Sequence, residues 1–303
     1  MTTTNGKARI LMCRPDHFDV SYSINPWMDP GAWASEAQTL TEAARDEWQA
    51  LYRTLKGLGA AVQLVPAQPS LPDLVFTANA AVVMNRIALV ARFRHPERQG
   101  EEAHFARAFR RMQTQHIIDE VRLMPDGVCL EGAGDCVWDH TRGMFWMGYG
   151  PRSDRAARAV LEECFGIETV ALELADPRFY HMDTALCPLS GGELIHVPSA
   201  FTPLGLAELH DRIAPELRIA LAPEDAALLA ANAVCLGHDI VLSRCSDALR
   251  RQLAERGYRV YMSPLDAFAK SGGSAFCLTL RLDHRSAAAR GKATQEAAAL
   301  ALS

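Results

Sequence analysis

The sequence predicts an α/β fold built from units of strand, strand, helix and strand that repeat around a ring. Two observations carry this prediction. Four times along the chain, a polar Asn or Asp precedes an apolar strand, a tight turn and a second apolar strand, and a helical pattern follows. Successive units start about 45 to 56 positions apart, a period that favours radial blades or a solenoid. An open α/β sheet is the alternative that this pattern leaves.

Each unit begins with a β-hairpin signature, because two short apolar runs flank a turn rich in Asn, Gly or His. The four hairpins open at Asn79, Asp135, Asp183 and Asn232. Helical patterns follow over residues 101–112, 154–164, 203–213 and 246–256, and third strands are predicted over 120–124, 169–174 and 258–262. Ser153 and Ser246 stand where N-cap residues begin helices.

The two ends of the chain supply the strands of one more unit. Residues 8–13 and 275–282 are both apolar runs, and the second lies one period beyond Asn232. Joined, they would close a ring of about five blades. We therefore predict one catalytic domain over residues 1–283, followed by an Ala-rich tail, 284–303, that forms a helix or a frayed end.

Composition excludes several classes of protein. The 303 residues are 49% hydrophobic and carry a formal net charge of −5, with no block of Lys and Arg that would predict nucleic-acid binding. The sequence shows neither a secretory leader nor a membrane span. Its eight cysteines are scattered, which favours a reduced, cytoplasmic protein. Cys129, Cys136 and His140 lack the paired spacing of a zinc site, so we expect no metal.

A glycine-rich segment leads to the most interesting cysteine. Lys270-Ser-Gly-Gly-Ser-Ala-Phe-Cys277 places Cys277 where the other units have their polar residue, so the ring would bring it to a shared polar cavity. The Gly-Gly turn, with Gly273, lets the backbone approach a ligand closely. A plain buried strand cysteine is the ordinary alternative.

Two further segments carry acid and base groups. His181 and Asp183 lie two apart, which on a strand puts both side chains on one face, and a base beside a carboxylate suits acid–base work on a cation. Glu131 opens Glu131-Gly-Ala-Gly-Asp135, a sharply bent segment. A core His–Asp network and an ordinary Gly-rich turn are the alternatives.

Together these motifs resemble the guanidine-modifying superfamily, which includes arginine deiminases, dimethylarginine dimethylaminohydrolases, amidinotransferases and dihydrolases. Phe76-Thr-Ala-Asn79, Glu131-Gly-Ala-Gly-Asp135, His181-Met-Asp183 and Gly272-Gly-Ser-Ala-Phe-Cys277 occur in the expected order. The resemblance implies a five-bladed pseudosymmetric α/β propeller with ββαβ repeats. It also implies a small guanidino amino acid as substrate, and no cofactor.

The chemistry that the resemblance implies divides the work among four residues. Glu131 and Asp183 would hold the guanidinium N–H groups, and Cys277 would attack the central carbon to form a thiouronium intermediate. His181 would protonate the departing nitrogen and later activate water.

The resemblance also suggests which residues bind the substrate. Asn79 replaces the acidic residue that single-cut relatives usually carry, and Asn25 matches a second Asn segment of the arginine dihydrolases. Arg152 would pair with the substrate carboxylate, and Arg92 and Arg94 are lesser candidates. Asp135 and Gly273 would complete the cavity.

Three functions follow from these residues. The first is an arginine dihydrolase that yields ornithine, ammonia and CO₂. The second is a single-cut dimethylarginine dimethylaminohydrolase or arginine deiminase that yields citrulline. The third is a non-catalytic amino-acid-binding protein. The sequence leaves a homo-oligomer open.

Overall fold

The computed structural model describes residues 7–289 and Gly291, and the strands of this part form five three-stranded sheets. In chain order the strands are β1 Arg9–Cys13, β2 Ala61–Val65, β3 Ala81–Met84, β4 Ile87–Val90, β5 Glu120–Leu123, β6 Cys136–Asp139, β7 Met144–Tyr149, β8 Thr169–Glu173, β9 Leu186–Pro188, β10 Leu194–His196, β11 Arg218–Ala220, β12 Val234–Leu236, β13 Asp239–Leu242, β14 Arg259–Met262 and β15 Leu280–Arg281. Sheet I is β15-β1-β2, sheet II β3-β4-β5, sheet III β6-β7-β8, sheet IV β9-β10-β11 and sheet V β12-β13-β14.

The middle strand of every sheet pairs antiparallel with one neighbour and parallel with the other. A parallel pair cannot be closed by a tight turn, so each needs a longer crossover. Each crossover contains one longer helix: α1 Ala37–Gly57, α2 Pro96–Thr114, α3 Ala157–Phe165, α4 Pro203–Arg212 and α5 Asp247–Glu255. The predicted order of strand, strand, helix and strand is confirmed, and β15 completes sheet I from the other end of the chain.

Short helical segments fill many of the connections between these elements. They are Pro30–Ser35, Pro72–Val75, Thr77–Ala80, Gly132–Asp135, Met182–Ala185, Pro198–Ala200, Pro215–Leu217, Pro223–Ala227 and Asp266–Ala269.

Buried apolar clusters join each sheet to the next and join the last sheet to the first. Shared clusters contain Leu11 and Val83 between sheets I and II, Met84 and Phe145 between II and III, Trp146, Ile195 and Ile240 across III, IV and V, and Val241 and Met12 between V and I. Each sheet therefore buries its faces against its sequence neighbours. The result is an α/β fold with a five-fold repeat.

The structure corrects three local predictions. Ser246 does cap α5, since its Oγ accepts from the Leu249 N–H at 3.1 Å, but Ser153 does not cap α3, whose N-cap is Ala156. The predicted final strand shrinks to Leu280–Arg281, because the backbone around Cys277 forms turns. The short strand β11 was missed, because three residues show too little alternation to be recognised.

The packed structure continues past the predicted boundary at residue 283. Asn85 and Arg86 both have positive φ, 54° and 66°, as a two-residue type I′ hairpin turn requires. The Asn85 N–H donates to the His284 carbonyl, and Asn85 Nδ2 donates to Ser286 Oγ at 3.1 Å. Most of the predicted tail lies outside the described residues. Within residues 7–289, none of the helices combines the length and apolar character needed to cross a membrane.

Candidate active site

The polar residues that open the units converge, as the repeat predicts. Asn79, Asp135 and Asp183 lie in short turns before β3, β6 and β9, and Asn232 lies just before β12. Hydrogen bonds link the units in a closed circle: Asn79 Nδ2 to the Glu131 carbonyl at 2.9 Å, the Met182 N–H to Asp135 Oδ1 at 3.1 Å, Asn232 Nδ2 to the Asp183 carbonyl at 3.2 Å, the Cys277 N–H to Asn232 Oδ1 at 3.1 Å, and the Ala78 N–H to the Cys277 carbonyl at 3.1 Å.

A narrow polar cavity opens beside this circle. It is lined by Asn25, Asp73, Phe76, Asn79, Arg98, Arg152, Tyr180, His181, Ser271, Gly273 and Cys277. Six of these are residues that the sequence predicts for the site. A small, charged ligand fits this lining, because the polar groups of the lining belong mostly to buried side chains that are held in fixed positions.

Cys277 lies in the turn before β15 and is 3% exposed. Its Sγ lies 3.1 Å from Asn232 Nδ2 and 3.3 Å from Asp183 Oδ2. Burial and the charge of Asp183 raise the pKa of the Cys277 thiol well above its usual range. The sulfur is therefore a thiol that donates to Asp183, and it needs a cation or a base nearby to become a nucleophile.

Asp183 is buried, and one of its two carboxylate oxygens accepts a hydrogen bond while the other has no partner among the described residues. Oδ2 accepts from the Cys277 thiol, and Oδ1 has no partner among the described residues. Burial raises the pKa of Asp183 to about 7. A cationic ligand would stabilise its charged form and supply the missing hydrogen bond; the contact of Asp183 with the substrate stays a prediction.

Contrary to the prediction, His181 does not lie on a strand. It is the N-cap residue of the short helical segment Met182–Ala185. Its Nε2 lies 2.8 Å from Glu131 Oε2. A carboxylate at Nε2 favours the tautomer that carries its proton there, which leaves Nδ1 as the basic nitrogen. Burial lowers the pKa of His181 to about 4, although Glu131 opposes the shift. The imidazole is therefore a neutral base near pH 7.

Glu131 is fully occupied by groups of its own chain. Oε2 accepts from Arg152 Nη1 at 2.9 Å and contacts His181, and Oε1 accepts from the Arg94 N–H at 3.2 Å. Burial alone would raise the pKa of Glu131, but Arg152 and His181 outweigh it and lower the pKa below its usual range. This carboxylate orients the His181 imidazole and does not line the cavity, so its contact with substrate N–H groups stays a prediction.

Arg152 and Arg92, both predicted to bind substrate, differ in their position relative to the cavity. Arg152 lines the cavity, but its guanidinium is held by Glu131 and by the Ile24 carbonyl at 3.1 Å and stacks over the Tyr180 ring at 4.7 Å. A substrate carboxylate that pairs with Arg152, as predicted, would have to share its guanidinium with Glu131 and the Ile24 carbonyl. Arg92 is not in the cavity, because its Nη2 binds Asp126 at 2.6 Å.

Three other predicted residues have well-defined contacts. Asp135 does not line the cavity, since its Oδ2 accepts from the Ser153 hydroxyl at 2.6 Å and its Oδ1 from Met182, so it positions the turns rather than the substrate. Asn25 does line the cavity and donates to the Ser271 carbonyl at 3.1 Å. Gly273 packs so closely on Phe76 that a Cβ atom would lie 2.3 Å from the ring.

Sequence reasoning missed a buried charged group at one side of the cavity. Arg98 forms two 2.8 Å hydrogen bonds with Glu101 and donates to Asn79 Oδ1 at 3.0 Å. Asp73 accepts from the Tyr22 hydroxyl at 2.9 Å, and its Oδ1 is buried without a partner among the described residues. Burial raises the pKa of Asp73, so a cationic N–H of a ligand would both pair with it and favour its charged form.

Gly134 lies where the unit that contains sheet III packs tightly against Asn79 of the unit that contains sheet II. A Cβ atom at this position would lie 2.2 Å from Asn79 Nδ2, a distance that only a shift of the Asn79 amide could relieve. This close approach accounts for a glycine in the segment between Glu131 and Asp135.

We therefore expect Gly134→Ala to destabilise the protein by about 1–3 kcal/mol, the usual cost of forcing extra volume into a packed site. Chemical denaturation of the variant and the wild type measures this difference. Gly57→Ala is the matched control, because a Cβ atom there meets nothing within 4 Å. An unchanged free energy of unfolding for Gly134→Ala would contradict the packing argument.

Comparison with known proteins gives close matches over nearly the whole chain. Residues 14–196 match the family model of eukaryotic N,N dimethylarginine dimethylhydrolase. The chain is 42% identical to the bifunctional arginine dihydrolase/ornithine cyclodeaminase AgrE of a Nostoc species, over 91% of this chain and 38% of that protein. It is 35% identical to N(G),N(G)-dimethylarginine dimethylaminohydrolase of Mycobacterium tuberculosis, over 90% of this chain and 85% of that one.

A solved structure matches equally well. The N-terminal domain of ArgZ, an arginine dihydrolase of the ornithine–ammonia cycle in cyanobacteria, was determined with bound substrate; it is 39% identical, with a TM-score of 0.85 over 92% of this chain and 99% of that one. A variant of the same domain was seen covalently bound to a reaction intermediate. The chain spans less than two fifths of the length of the bifunctional relative AgrE.

Proposed function

We propose that this chain, which belongs to the N,N-dimethylarginine dimethylhydrolase family, is an arginine dihydrolase. In the proposed reaction, arginine and two water molecules give ornithine, two molecules of ammonia and CO₂. The observation that carries the proposal is an amide, Asn79, in the wall of the cavity. The similarity to AgrE and to the substrate-bound domain of ArgZ supports it.

The hydrogen bonds of Asn79 decide which end of its amide can donate. Arg98 donates to Oδ1, and Nδ2 donates to the Glu131 carbonyl, so the two contacts agree on one orientation of the side chain. An Nδ2 group carries two protons, and one remains for a ligand. After the first cut the substrate carries a neutral ureido group with a carbonyl oxygen. An amide can donate to that oxygen, whereas a carboxylate would repel it.

The first cut balances with the protons that the site holds. The Cys277 sulfur bonds to the guanidinium carbon, and the thiol proton leaves with the departing nitrogen as ammonia, passing through the neutral His181. Water, activated by His181, then attacks the thiouronium carbon. One proton restores the Cys277 thiol, citrulline forms in the site, and the remaining proton leaves with the ammonia as ammonium. Asp183 stabilises the cation with its free oxygen. Neither a metal nor an organic cofactor takes part in these steps.

We also propose how the five sheets are arranged around the site. The five sheets would be the blades of a five-bladed α/β propeller, and residues 1–283 would form one catalytic domain, onto which the segment 284–286 packs. The order of the apolar clusters and the closed circle of hydrogen bonds at the centre support this arrangement.

Replacing Asn79 by aspartate tests the two-cut proposal. We expect Asn79→Asp to slow the second cut by about ten- to a hundredfold, the usual effect of leaving a buried polar contact unmade, so that citrulline becomes its main product from arginine. The measurement is the ratio of ornithine to citrulline, with ammonia counted per arginine consumed. Asn85→Asp, far from the cavity, should keep the wild-type ratio.

The product ratio also separates the other functions. A wild-type protein that stops at citrulline, or that prefers dimethylarginine, would instead be a single-cut hydrolase, a reading that the Mycobacterium tuberculosis relative favours. Binding of arginine without any turnover would make the chain an amino-acid-binding protein.

A further inference from the structure

Asn232 makes more contacts with Cys277 than any other side chain among the described residues. Its Nδ2 lies 3.1 Å from Cys277 Sγ, its Oδ1 accepts from the Cys277 N–H at 3.1 Å, and its Nδ2 also donates to the Asp183 carbonyl at 3.2 Å. The side chain is fully buried and does not line the cavity. Its contacts with the sulfur therefore come from outside the cavity lining.

The three contacts allow only one orientation of the amide. The acceptor end must face the Cys277 N–H and the donor end must face the Asp183 carbonyl, so an N–H is aimed at the sulfur. A neutral thiol gains little from such a donor. A thiolate gains more, because a hydrogen bond to a charged group is about twice as strong as one between neutral groups.

We propose that Asn232 is a positioning residue that holds Cys277 and stabilises its thiolate, both when the sulfur attacks and when it leaves the covalent intermediate. The proposal rests on the proposed function only in taking Cys277 as the nucleophile. The donor is fixed before substrate arrives, so no reorganisation accompanies the change in charge.

Several charged or titratable groups act on the same sulfur, and their effects must be kept constant. Burial and Asp183 raise the pKa of Cys277, while the Ser274 backbone and Asn232 lower it. The titratable and charged groups around the sulfur and the cavity are Asp183, His181, Tyr180, Asp73, Arg98 and Arg152. Asn232→Ala leaves all six in place, whereas Asn232→Asp adds a carboxylate beside them.

Two variants separate an electrostatic role from a scaffold role. Asn232→Ala removes both the donor to sulfur and the acceptor for the Cys277 N–H. Asn232→Asp keeps an acceptor for that N–H in a side chain of the same shape, but replaces with an oxygen the Nδ2 group that faces both the sulfur and the Asp183 carbonyl. If Asn232 serves only to hold the Cys277 N–H, aspartate should serve nearly as well as asparagine. If it stabilises the thiolate, both variants should fail.

Alkylation of Cys277 by iodoacetamide measures the thiolate without any turnover. At a fixed pH below the thiol pKa, the rate of alkylation follows the thiolate fraction, and mass spectrometry of the peptide that contains Cys277 distinguishes it from the other seven cysteines. We expect both variants to be alkylated about ten- to a hundredfold more slowly than the wild type. Asn85→Ala, which loses similar side-chain bonds to Ser286, should behave as wild type.

Steady-state kinetics supply the second readout. Because Asn232 does not line the cavity, kcat for arginine should fall about as much as the alkylation rate while KM stays within about twofold. Wild-type alkylation in Asn232→Asp, or unchanged alkylation in both variants, would overturn the proposal. A wild-type protein that turns over no arginine, yet shows the alkylation difference, would overturn the proposed function and leave the role of Asn232 intact.

Discussion

Cys277→Ser should lose turnover of arginine on the order of 10⁴- to 10⁶-fold while the protein remains folded. A hydroxyl can keep both contacts of the sulfur, since it donates to Asp183 Oδ2 and accepts from Asn232 Nδ2. What it cannot do is ionise near neutral pH in a buried site, so no effective nucleophile remains. Removing the nucleophile from a covalent enzyme has effects of this size.

Ammonia release measures the loss, and mass spectrometry of the wild-type protein quenched in acid with arginine locates the covalent adduct. The matched control is Cys187→Ala, because Cys187 is also buried but packs in sheet IV against the Ala233 carbonyl. We expect the control to keep its activity and to form its adduct on Cys277. An adduct on any other cysteine, or an active serine variant, would rule out Cys277 as the nucleophile.

The sequence predicts the site residues whose reactive or hydrogen-bonding groups stand in short, recognisable motifs. Cys277 follows a Gly-Gly turn, His181 stands beside Asp183, and Asn79 opens a hairpin. All four residues lie in the closed circle or line the cavity. The repeat predicts this convergence because the same position of every unit must face the same centre. The five sheets follow from the same repeat.

Pairing between distant charges could not be read from the sequence. Arg98 looks like one of many charged residues on the polar face of a helix, yet it is buried and donates to Asn79 Oδ1 at the start of the hairpin that precedes that helix. A motif shows that Glu131 and Arg152 are near the site, but only the fold shows that they bind each other. Such pairs depend on which units become neighbours, which is a property of the tertiary structure.

Glu131 shows how this pairing changes a predicted role. As a free carboxylate it would hold the substrate, but in the structure Arg152 and His181 both bind Oε2, and Oε1 accepts from the Arg94 N–H. Its charge is therefore used to fix the tautomer and orientation of the imidazole. The substrate cation is left to Asp183 and Asp73, each of which has one buried oxygen without a partner among the described residues.

The proposed role of His181 requires a neutral imidazole with one nitrogen free. Burial keeps the pKa of His181 at about 4, so the ring stays neutral above that pH and can accept the proton that Cys277 gives up. After the first step it holds or relays that proton to the leaving nitrogen, and it then takes a proton from the attacking water. Both steps need the same ring, so its removal affects formation and breakdown of the intermediate together.

We expect His181→Gly to reduce kcat for arginine by about 10²- to 10⁴-fold. Added imidazole should restore part of the rate, because glycine leaves a space of the right shape beside Glu131 and the missing group is a base rather than a structural support. Stopped-flow mixing and acid quenching should show how much thiouronium adduct accumulates on Cys277.

His196→Ala is the matched control, since burial lowers the pKa of His196 to about 4 as well but this ring lies in sheet IV, outside the cavity lining. Near-normal turnover by His181→Gly would show that the imidazole is only a structural partner of Glu131, and a loss that imidazole cannot reverse would point to the same conclusion.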